Sequence, residues 1–385
     1  MNLNNSRKIA EFEKEFAGLN KRSNCIAFPF ARTALYFILK NLDLKPGDKI
    51  LLPPITIKAM VDVVLALKLE PIFTDINDKS LIFDPIELKK VVEEKKPKVA
   101  ILTYLFGIAP EVDEVVEILK KNNVYIIEDF SQNFNGSSNK SQFGTIGDIS
   151  IYSTSSLKTV DTYGGGMVLT DDLSFANLLR NNASNLKKPS RLNLINKILK
   201  NLYKNVLSSK LLFIIFIFPI IKISFKFKKD SFTRFVGNRS NIPIKSLPDD
   251  WFEGYTSIQA SVGIQMLSTF QKRDNSRIHI GKKLEELINF HSDRPTNAHN
   301  GRGVFWQFII YVKDYPKAKQ IFLRYRVDTG LTSLVLLSKL VNYNLIFDTP
   351  NAEKLYTRGV YLPCYKSLKD KELQRISRAV KEIVN

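Results

Sequence analysis

A lysine follows a cluster of hydroxyl side chains in the segment STSSLK, which runs from Ser153 to Lys158. Hydroxyl groups and free backbone N–H groups at the end of a strand can bind a phosphate dianion. A lysine whose pKa is lowered by burial and by its neighbours can form an imine with a carbonyl compound. A solvated loop lysine is the common alternative in a chain this basic, so the segment alone does not decide between the two.

A carboxylate stands before this segment, at the end of an apolar run. Asp129 closes the run YIIED at residues 125–129, and Gln132 follows three residues later. An acid at the C-terminal end of a strand projects into the ligand crevice of an α/β sheet, where it can hold a protonated ring nitrogen. A helix N-cap or a surface turn is the structural alternative for such an acid.

Three consecutive glycines at 164–166 come directly before the apolar residues MVL. Glycine lets the backbone approach a ligand closely or adopt a positive φ angle. A simple loop is the alternative for a glycine run taken alone. The order of the three pieces, carboxylate, hydroxyl–lysine segment and glycine turn, is more informative than any one of them.

Hydrophobic patterns around these segments predict the elements that position them. We predict strands at residues 49–52, 71–73, 99–103, 124–127, 149–152 and 167–170. We predict helices at residues 32–42, 57–67, 85–95 and 112–121. Strands that alternate with helices predict an α/β fold with a mostly parallel, doubly wound sheet between helical layers. Ligands bind beyond the carboxyl ends of such strands, where we expect Asp129, Ser153 and Lys158 to meet.

The pattern changes in the last third of the chain. We predict helices at 271–290 and 369–384 and a strand at 304–312, which together indicate a smaller α+β domain. We therefore predict a large α/β domain at residues 1–265 and a small C-terminal domain at residues 266–385.

The composition excludes several classes of protein. The chain of 385 residues is 44% hydrophobic and 25% charged, which is typical of a globular protein rather than a disordered or fibrous one. Two distant cysteines, Cys25 and Cys364, exclude a disulfide scaffold, a cysteine zinc site and an iron–sulfur cluster. The histidines lack metal-ligand spacing, so we expect no metal. They are His279, His291 and His299. Residues 1–19 are too polar for a secretory signal, so we expect a reducing, cytoplasmic setting.

Positive charge concentrates at residues 186–230, inside a predicted insertion at about 186–245. This stretch holds eleven basic residues and one acid, and so carries ten of the nineteen net positive charges. Its centre, residues 211–221, is an uncharged run of eleven residues that contains Pro219. Before this run, apolar residues recur at helical spacing between lysines. They are Leu192, Ile195, Leu199 and Leu202.

These features fit a segment that lies in the headgroup layer of an anionic membrane, so peripheral contact with the inner membrane face is one expectation. A buried helix or a cover over a subunit interface is the alternative. Membrane spanning is disfavoured because a spanning helix needs about 20 apolar residues. Nucleic-acid binding is disfavoured because the basic residues alternate with aliphatic ones and no nucleic-acid motif is present.

The order of these segments resembles the DegT/DnrJ/EryC1/StrS sugar aminotransferases, a family of fold-type-I pyridoxal-phosphate enzymes, over nearly the whole chain. IIEDFSQNFNG is similar to the family's acid–x–x–glutamine segment. GTIGDISIYSTSSLKTVDTYGGGMVLTDD is similar to its serine–x4–lysine segment and glycine turn. The family's core strands and helices resemble two segments, LPPITIKAMVDVVLALKLEPIFTDIN and LTYLFGIAPEVDEVVEILKKNNVYIIED. Its C-terminal landmarks resemble YTSIQASVGIQML and RGVYLPCY.

The resemblance implies pyridoxal 5'-phosphate as the cofactor and gives three residues a role at its ring. Lys158 is implied as the Schiff-base lysine, and Asp129 as the acid that pairs with the pyridine nitrogen. Gln132 is implied as the neighbour of the ring hydroxyl. Ile57 stands where many members have an aromatic residue that stacks on the ring, and an aliphatic side chain can cover the same face.

The resemblance also implies a phosphate site. Ser153 matches a phosphate-binding serine of the family. Arg32 and Thr33 lie where the family has its first phosphate-binding turn, although Ala31 replaces the usual glycine.

The implied activity is the transfer of an amino group from glutamate to a keto-sugar, expected to be nucleotide-linked, in cell-surface polysaccharide or amino-sugar biosynthesis. A homodimer is implied as well. Two alternatives stay open. One is another pyridoxal-phosphate reaction, such as dehydration or the amination of a cyclitol or lipid ketone, although Lys158 argues against the dehydratases in which histidine replaces the lysine. The other is a non-catalytic relative that acts as a regulator or scaffold.

Overall fold

The computed structural model describes residues 6–139, 141–207, 209, 212–226, 243–244, 246–288 and 293–384. The first strands in chain order are β1 (Asn24–Phe28), β2 (Lys49–Leu52), β3 (Ile55–Thr56), β4 (Glu70–Phe73), β5 (Val99–Thr103), β6 (Tyr125–Asp129), β7 (Ile149–Ser153) and β8 (Gly166–Thr170). All of these except β3 form one sheet in the order β1-β8-β7-β6-β5-β2-β4. Strand β8 is antiparallel to both of its neighbours, and the other neighbouring strands are parallel. The predicted mostly parallel sheet is therefore confirmed.

Helices cover both faces of this sheet. They are α1 (Ser6–Leu19), α2 (Ala31–Asn41), α3 (Ala59–Ala66), α4 (Pro85–Lys95), α5 (Asp113–Lys121) and α6 (Leu173–Ser184). Strand side chains alternate between two cores because successive residues of a strand point to opposite faces. Ile101 and Ile127 belong to the core shared with α2, α3 and α6, whereas Leu102 and Ile126 belong to the core shared with α1, α4 and α5. This arrangement confirms the doubly wound α/β fold.

Helix α4 shows how local sequence sets the ends of an element. The Asp84 carboxylate accepts hydrogen bonds from the backbone N–H groups of Ile86 and Glu87, at 3.0 and 3.3 Å. Pro85 occupies the first helical position, where its missing N–H costs nothing. Lys96, with a left-handed φ of 49°, ends the helix. The predicted bounds of 85–95 are confirmed for this reason.

The predicted insertion contains helix α7 (Arg191–Leu207), a single π-helical turn (Phe213–Ile217) and helix α8 (Phe218–Lys226). Several residues of the basic, apolar stretch lie outside the described residues, as does His291. They are Lys210, Leu211, Lys228, Lys229 and Asp230. Among the described residues, no helix combines the length and the apolar character that crossing a bilayer requires.

The C-terminal part has a core of its own. Its elements are α9 (Ser257–Ile288), β9 (Phe308–Tyr311), α10 (Tyr315–Arg324), β10 (Gly330–Leu331), β11 (Val335–Leu336), α11 (Pro350–Arg358), β12 (Gly359–Leu362) and α12 (Asp370–Val384). Strands β10, β12 and β9 form an antiparallel sheet, and residues from 280 onwards pack around it. Strand β11 pairs instead with β3 and so ties this part to the first half of the chain.

Two predicted elements differ from the observed ones. Helix α9 begins at Ser257 rather than at residue 271, and it crosses residues 265 and 266 without a break, so the division into 1–265 and 266–385 stays a prediction. The predicted strand at 304–312 is shorter and covers Phe308–Tyr311. It is shorter because the N–H groups of Val304 and Gln307 bind the carbonyls of Gly107 and Phe106, at 2.9 and 3.0 Å, rather than a neighbouring strand.

Candidate active site

The ends of three parallel strands bring polar side chains to one face of the sheet. Thr103 of β5 is paired with Asp129 of β6, and Ser153 of β7 lies two residues beyond Ile151, the pairing partner of Asp129. Paired residues of neighbouring strands share a face, and residues two apart along a strand share it too. Thr103, Asp129 and Ser153 therefore all lie on the face that α2 and α3 cover.

Asp129 is buried at this edge. One of its carboxylate oxygens accepts a hydrogen bond from the N–H of Ser131 at 3.0 Å. The hydroxyl of Ser131 in turn accepts one from the N–H of Ser153 at 2.9 Å. Burial raises the pKa of the Asp129 carboxyl, while the hydrogen bonds from Ser131 and the positive charge of Lys158 lower it. The acid and the lysine thus act on each other across a common site.

Lys158 lies in the loop after β7, with its amine 4.2 Å from the centre of the Trp306 ring. Burial lowers the pKa of this amine to about 8, against the opposing effect of the Asp129 carboxylate. The indole N–H of Trp306 donates to the carbonyl of Leu157 at 2.8 Å. Leu157 has a left-handed φ of 74°. The indole therefore holds the lysine loop and covers one side of the amine.

Gln132 holds the loop at Phe106, and the segment that carries Trp306 packs against this loop. Its side-chain oxygen accepts a hydrogen bond from the N–H of Phe106 at 2.7 Å. Phe106 and Gly107 have φ angles of 58° and 78°. A Cβ atom at Gly107 would collide with the backbone nitrogen of Trp306, so only glycine allows this approach. The sequence did not indicate Trp306, which comes from the C-terminal half of the chain.

The hydroxyls of Ser153 and Ser155 are 2.8 Å apart. Ser153 is paired across the sheet with Gly166. A Cβ atom at Gly166 would collide with the backbone of Ala31, the first residue of α2. The last glycine of the turn therefore lets the start of α2 lie directly against the strand end that carries Ser153.

Arg32 and Thr33 form a second group around Trp251, which lies in a short 3₁₀ turn (Asp249–Phe252). The Arg32 guanidinium stacks 4.0 Å from the ring centre of Phe30 and 4.3 Å from that of Trp251. The Thr33 hydroxyl is buried and donates to the carbonyl of Trp251 at 2.7 Å. The N–H of Thr33 donates to the carbonyl of Phe30 at 3.1 Å, so both donors of this residue are used within the protein, and its predicted contact with a phosphate stays a prediction.

Ile57 follows β3 and packs, partly buried, against the core that α2 and α3 share.

Helix α7 also reaches this region, because the Asn201 amide donates to the Asp161 carboxylate at 3.0 Å. Asp161, Asn201 and Lys158 line a cavity of about 260 Å³. Sequence reasoning identified neither Thr103 nor Asn201.

One observation indicates that this edge receives a ligand. The Thr103 hydroxyl is buried, and it has no hydrogen-bond partner within the part of the chain that the structure describes. A buried hydroxyl without a partner is costly, so a bound group that accepts its hydrogen bond would stabilise the site. This edge also has an amine of lowered pKa, a buried carboxylate and paired hydroxyls. These groups can bind the carbonyl carbon, the ring nitrogen and the phosphate of an aldehyde that carries all three.

Known proteins match this chain in sequence and in fold. The DegT/DnrJ/EryC1/StrS aminotransferase family model matches residues 2–192 and 255–381. The spore coat polysaccharide biosynthesis protein SpsC of Bacillus subtilis (strain 168) is 26% identical over 178 residues, which are 46% of this chain and 46% of that protein. GDP-perosamine synthase of Escherichia coli O157:H7 is 31% identical over 165 residues, which are 43% of this chain and 45% of that protein. The match thus spans less than half the length of these two relatives.

The fold extends the likeness over most of the chain. The crystal structure of a DegT DnrJ EryC1 StrS aminotransferase from Brucella abortus has a TM-score of 0.74 and 19% identity, and the likeness covers 98% of this chain and 90% of that one. Together with a family model that matches well over half of the residues, these findings show that the chain belongs to the DegT/DnrJ/EryC1/StrS aminotransferase family.

Proposed function

We propose that this protein is an aminotransferase that uses pyridoxal 5'-phosphate to transfer an amino group to a keto-sugar in cell-surface polysaccharide biosynthesis. The observation that carries the proposal is the pair of Asp129, at the end of β6, and Lys158, in the loop after β7, because the charge of each shifts the pKa of the other. Family membership and the names of both curated relatives, one for spore coat polysaccharide biosynthesis and one for GDP-perosamine synthesis, support it.

Different residues of the site would hold different parts of such a cofactor. Lys158 would hold its aldehyde carbon and Asp129 its ring nitrogen. Ser153, Ser155 and the start of α2 would hold its phosphate. Gln132 keeps the Phe106 loop in position, and Ile57 would cover one face of the ring. When bound, pyridoxal 5'-phosphate supplies an electron sink that stabilises negative charge on the substrate carbon.

The amine of Lys158 then acts as general base and general acid: it takes a proton from the substrate carbon and returns one. With a pKa of about 8, about a tenth of these amines are neutral and able to accept a proton at pH 7. Asp129, as a carboxylate, favours the protonated ring nitrogen and thereby strengthens the electron sink. The Trp306 ring covers one side of the amine, and the lower local polarity there strengthens these electrostatic effects.

We further propose glutamate as the amino donor, a nucleotide-linked keto-sugar as the acceptor, and a homodimer as the working form. The glutamate and dimer proposals rest on the resemblance of the sequence to the family. The acceptor proposal is supported by the similarity of the chain to a GDP-perosamine synthase.

The test uses the purified protein with pyridoxal 5'-phosphate. We expect a visible absorbance band, which borohydride bleaches while it fixes the cofactor to Lys158 in a peptide map. Transfer of ¹⁵N from labelled glutamate to a nucleotide-linked keto-sugar, in a panel of such sugars, supports the activity. A band without transfer, but with loss of a sugar hydroxyl, indicates a dehydratase instead, and the absence of any band contradicts an enzymatic role.

The insertion supports a proposal about location. Helix α7 carries a stripe of apolar side chains that face solvent: Leu192, for example, is 73% exposed. The exposed apolar residues of the helix are Leu192, Ile195, Leu199, Leu202, Tyr203 and Val206. Since eleven basic residues accompany this stripe in the sequence, we propose that it contacts an anionic lipid surface.

Flotation with lipid vesicles tests this contact. We expect the protein to float with phosphatidylglycerol vesicles but not with phosphatidylcholine vesicles, and the double variant Leu199→Ser/Leu202→Ser to lose flotation. Leu173→Ser/Ile346→Ser is the matched control, because both of these residues are exposed outside the insertion. Equal flotation of the α7 variant and the wild type contradicts the proposal. An α7 variant that dissociates a dimer instead indicates that a second subunit covers the stripe.

A further inference from the structure

A second cavity lies between helix α9 and the segment 294–303, outside the site that holds Lys158. Its volume is about 790 Å³, and small-molecule sites in proteins have volumes of roughly 300–1,000 Å³. His279 and Lys282 line it from α9, and residues three apart lie on one side of a helix. Asp274, on another side of the same helix, lines the cavity of Lys158 instead. Helix α9 therefore forms one wall of each cavity.

The wall opposite α9 is held by hydrogen bonds to other loops. The side-chain oxygen of Asn297 accepts a hydrogen bond from the N–H of Ala109 at 2.8 Å. The N–H of Ala298 donates to the carbonyl of Ala109 at 2.8 Å, and the N–H of Arg302 donates to the carbonyl of Ser137 at 2.8 Å. These contacts fix the wall without a ligand, so binding would not have to order it first.

Positive charge dominates the lining of this cavity. Its lysine and arginine residues are Lys282, Arg294 and Arg302, and Glu285 is the one acid among the described residues that line it. Arg294 is buried and pairs with Glu285 at 2.9 Å, so these two charges compensate each other. Lys282 and Arg302 are exposed. Neither of them forms an ion pair within 4.0 Å with any residue that the structure describes.

The charge of Arg302 stays uncompensated although an acid is near. Its guanidinium lowers the pKa of Asp274, but that buried carboxylate already accepts a hydrogen bond from Arg277 at 2.6 Å. Arg302 itself donates to the side-chain oxygen of Asn275, on α9, at 3.3 Å. A neutral amide leaves the charge of the guanidinium in place. Two cations without an acid therefore face the cavity, one from each wall.

We propose that this cavity binds a phosphate-bearing small molecule whose anionic group contacts Lys282 and Arg302. Guanidinium binds phosphate through paired hydrogen bonds, and an ammonium binds it as a point charge. His279 and His299, one on each wall, add N–H donors. The cavity is larger than a phosphate group, and Phe305 adds apolar surface to its lining. The ligand therefore carries an organic part, and a nucleoside diphosphate has both the charge and the size.

The site itself does not depend on the proposed function, because it uses neither the lysine loop nor the strand ends. The diphosphate group has two possible sources. One is a free nucleoside diphosphate, and the other is a nucleotide-linked acceptor, which carries the same group and would require the proposed function.

Titration calorimetry on the full chain tests the site with inorganic diphosphate, guanosine diphosphate and uridine diphosphate as probes. An ionic strength of about 0.15 M screens charges that are more than about 8 Å apart, which suppresses diffuse surface binding. The cavity variant is Lys282→Ala/Arg302→Ala, and Lys282→Arg/Arg302→Lys keeps both charges. Lys272→Ala/Arg378→Ala is the matched control, because it removes two exposed cations from helices outside the lining.

We expect the wild type to bind inorganic diphosphate and at least one of the two nucleotides. The cavity variant should bind them about tenfold or more weakly, since it loses two charge-assisted contacts. The variant that keeps both charges should retain most of the affinity, and the control should match the wild type.

Steady-state kinetics then distinguish the two sources. If the group belongs to the acceptor, the cavity variant raises KM for a nucleotide-linked keto-sugar and leaves kcat unchanged. If it belongs to a free nucleotide, the Kd of the nucleotide rises in the cavity variant while KM for the acceptor stays as in the wild type.

Three results overturn the inference. One is a wild type that binds none of the three probes. Another is equal weakening in the cavity variant and in the control, which indicates diffuse attraction to a basic surface. The third is loss of binding in both cavity variants together with a lower unfolding temperature, which indicates a structural role. A wild type that binds the diphosphates but not pyridoxal 5'-phosphate overturns the proposed function and supports this site, so the two failures are distinguishable.

Discussion

The strand ends and helix α7 bring polar groups to the same site by different means. Asp129 is held by backbone pairing with β5 on one side and β7 on the other. Helix α7 is held by side-chain hydrogen bonds from Asn193 and Asn201. Groups on paired strands are fixed as firmly as the sheet itself, whereas groups on α7 depend on a few contacts that can be removed one at a time. We therefore expect substitutions at the strand ends to affect chemistry and loss of the α7 contacts to affect the local stability of that helix.

The largest expected effect is that of Lys158→Ala. Loss of the amine removes both the covalent attachment and the proton-transfer group, so kcat/KM for transamination should fall by about 10³-fold or more. A coupled assay of 2-oxoglutarate release measures it. Lys200→Ala serves as the control lysine, and a Lys158→Ala enzyme with near wild-type turnover contradicts the assignment.

A smaller loss of activity is expected for Asp129→Asn, which keeps the shape of the side chain but removes its charge. The protonated ring nitrogen loses its partner, so kcat should fall by about 10²–10³-fold, in the range of other preorganised electrostatic interactions. Single-turnover kinetics with the cofactor-loaded enzyme measure this loss. A change in KM alone would mean that the carboxylate binds substrate rather than assisting the chemistry.

Glu128 offers a comparison with Asp129 from the opposite face of the same strand. Its buried carboxylate accepts hydrogen bonds from the N–H groups of Gly144, Ile146 and Gly147, at 2.6, 2.9 and 3.1 Å. In Glu128→Gln the new NH₂ group cannot accept hydrogen bonds from the backbone N–H groups that it faces. The free energy of unfolding should therefore fall by about 2–3 kcal/mol. Urea unfolding measures it. Unchanged stability, or a loss of cofactor binding without a loss of stability, contradicts a purely structural role.

The pH dependence of cofactor uptake reports on the Lys158 amine. Only the neutral amine attacks an aldehyde, and its pKa is about 8. The uptake rate of the cofactor-free protein should therefore rise about tenfold per pH unit below pH 8 and level off above it. Since the Asp129 carboxylate raises this pKa, the uptake rate of the Asp129→Asn variant should level off at a lower pH. Stopped-flow absorbance measures both profiles, and a midpoint near the ordinary lysine value contradicts the burial of the amine.

The smallest effect is expected for Asn193→Ala/Asn201→Ala, which removes two side-chain hydrogen bonds of α7. Amide hydrogen exchange should speed up in α7 and stay unchanged in β6 and β7, because the sheet does not depend on those contacts. Each neutral hydrogen bond contributes about 1 kcal/mol. Faster exchange in the sheet as well would show that α7 and the strand ends form a single cooperative unit.

The sequence predicted the strand ends better than it predicted their neighbours. Asp129 and Ser153 follow apolar runs, and the fold class required such residues to meet at one edge. Trp306 could not be predicted, because its indole binds a carbonyl 149 residues earlier in the chain and no local pattern encodes that distance. Asn201 was missed as well, because its contact with Asp161 depends on which side of α7 faces the protein. Helical periodicity shows that a helix has two sides but not which one is buried.

The hydrogen bond from the Trp306 indole to the Leu157 carbonyl sets an order of events during synthesis of the chain. Every strand of the main sheet precedes residue 171, so the sheet can assemble while the ribosome still holds the C-terminal part. The lysine loop cannot close at that stage, since its indole partner has not yet emerged. The Lys158 amine is thus covered by the indole only when the last fifth of the polypeptide folds back over the first half.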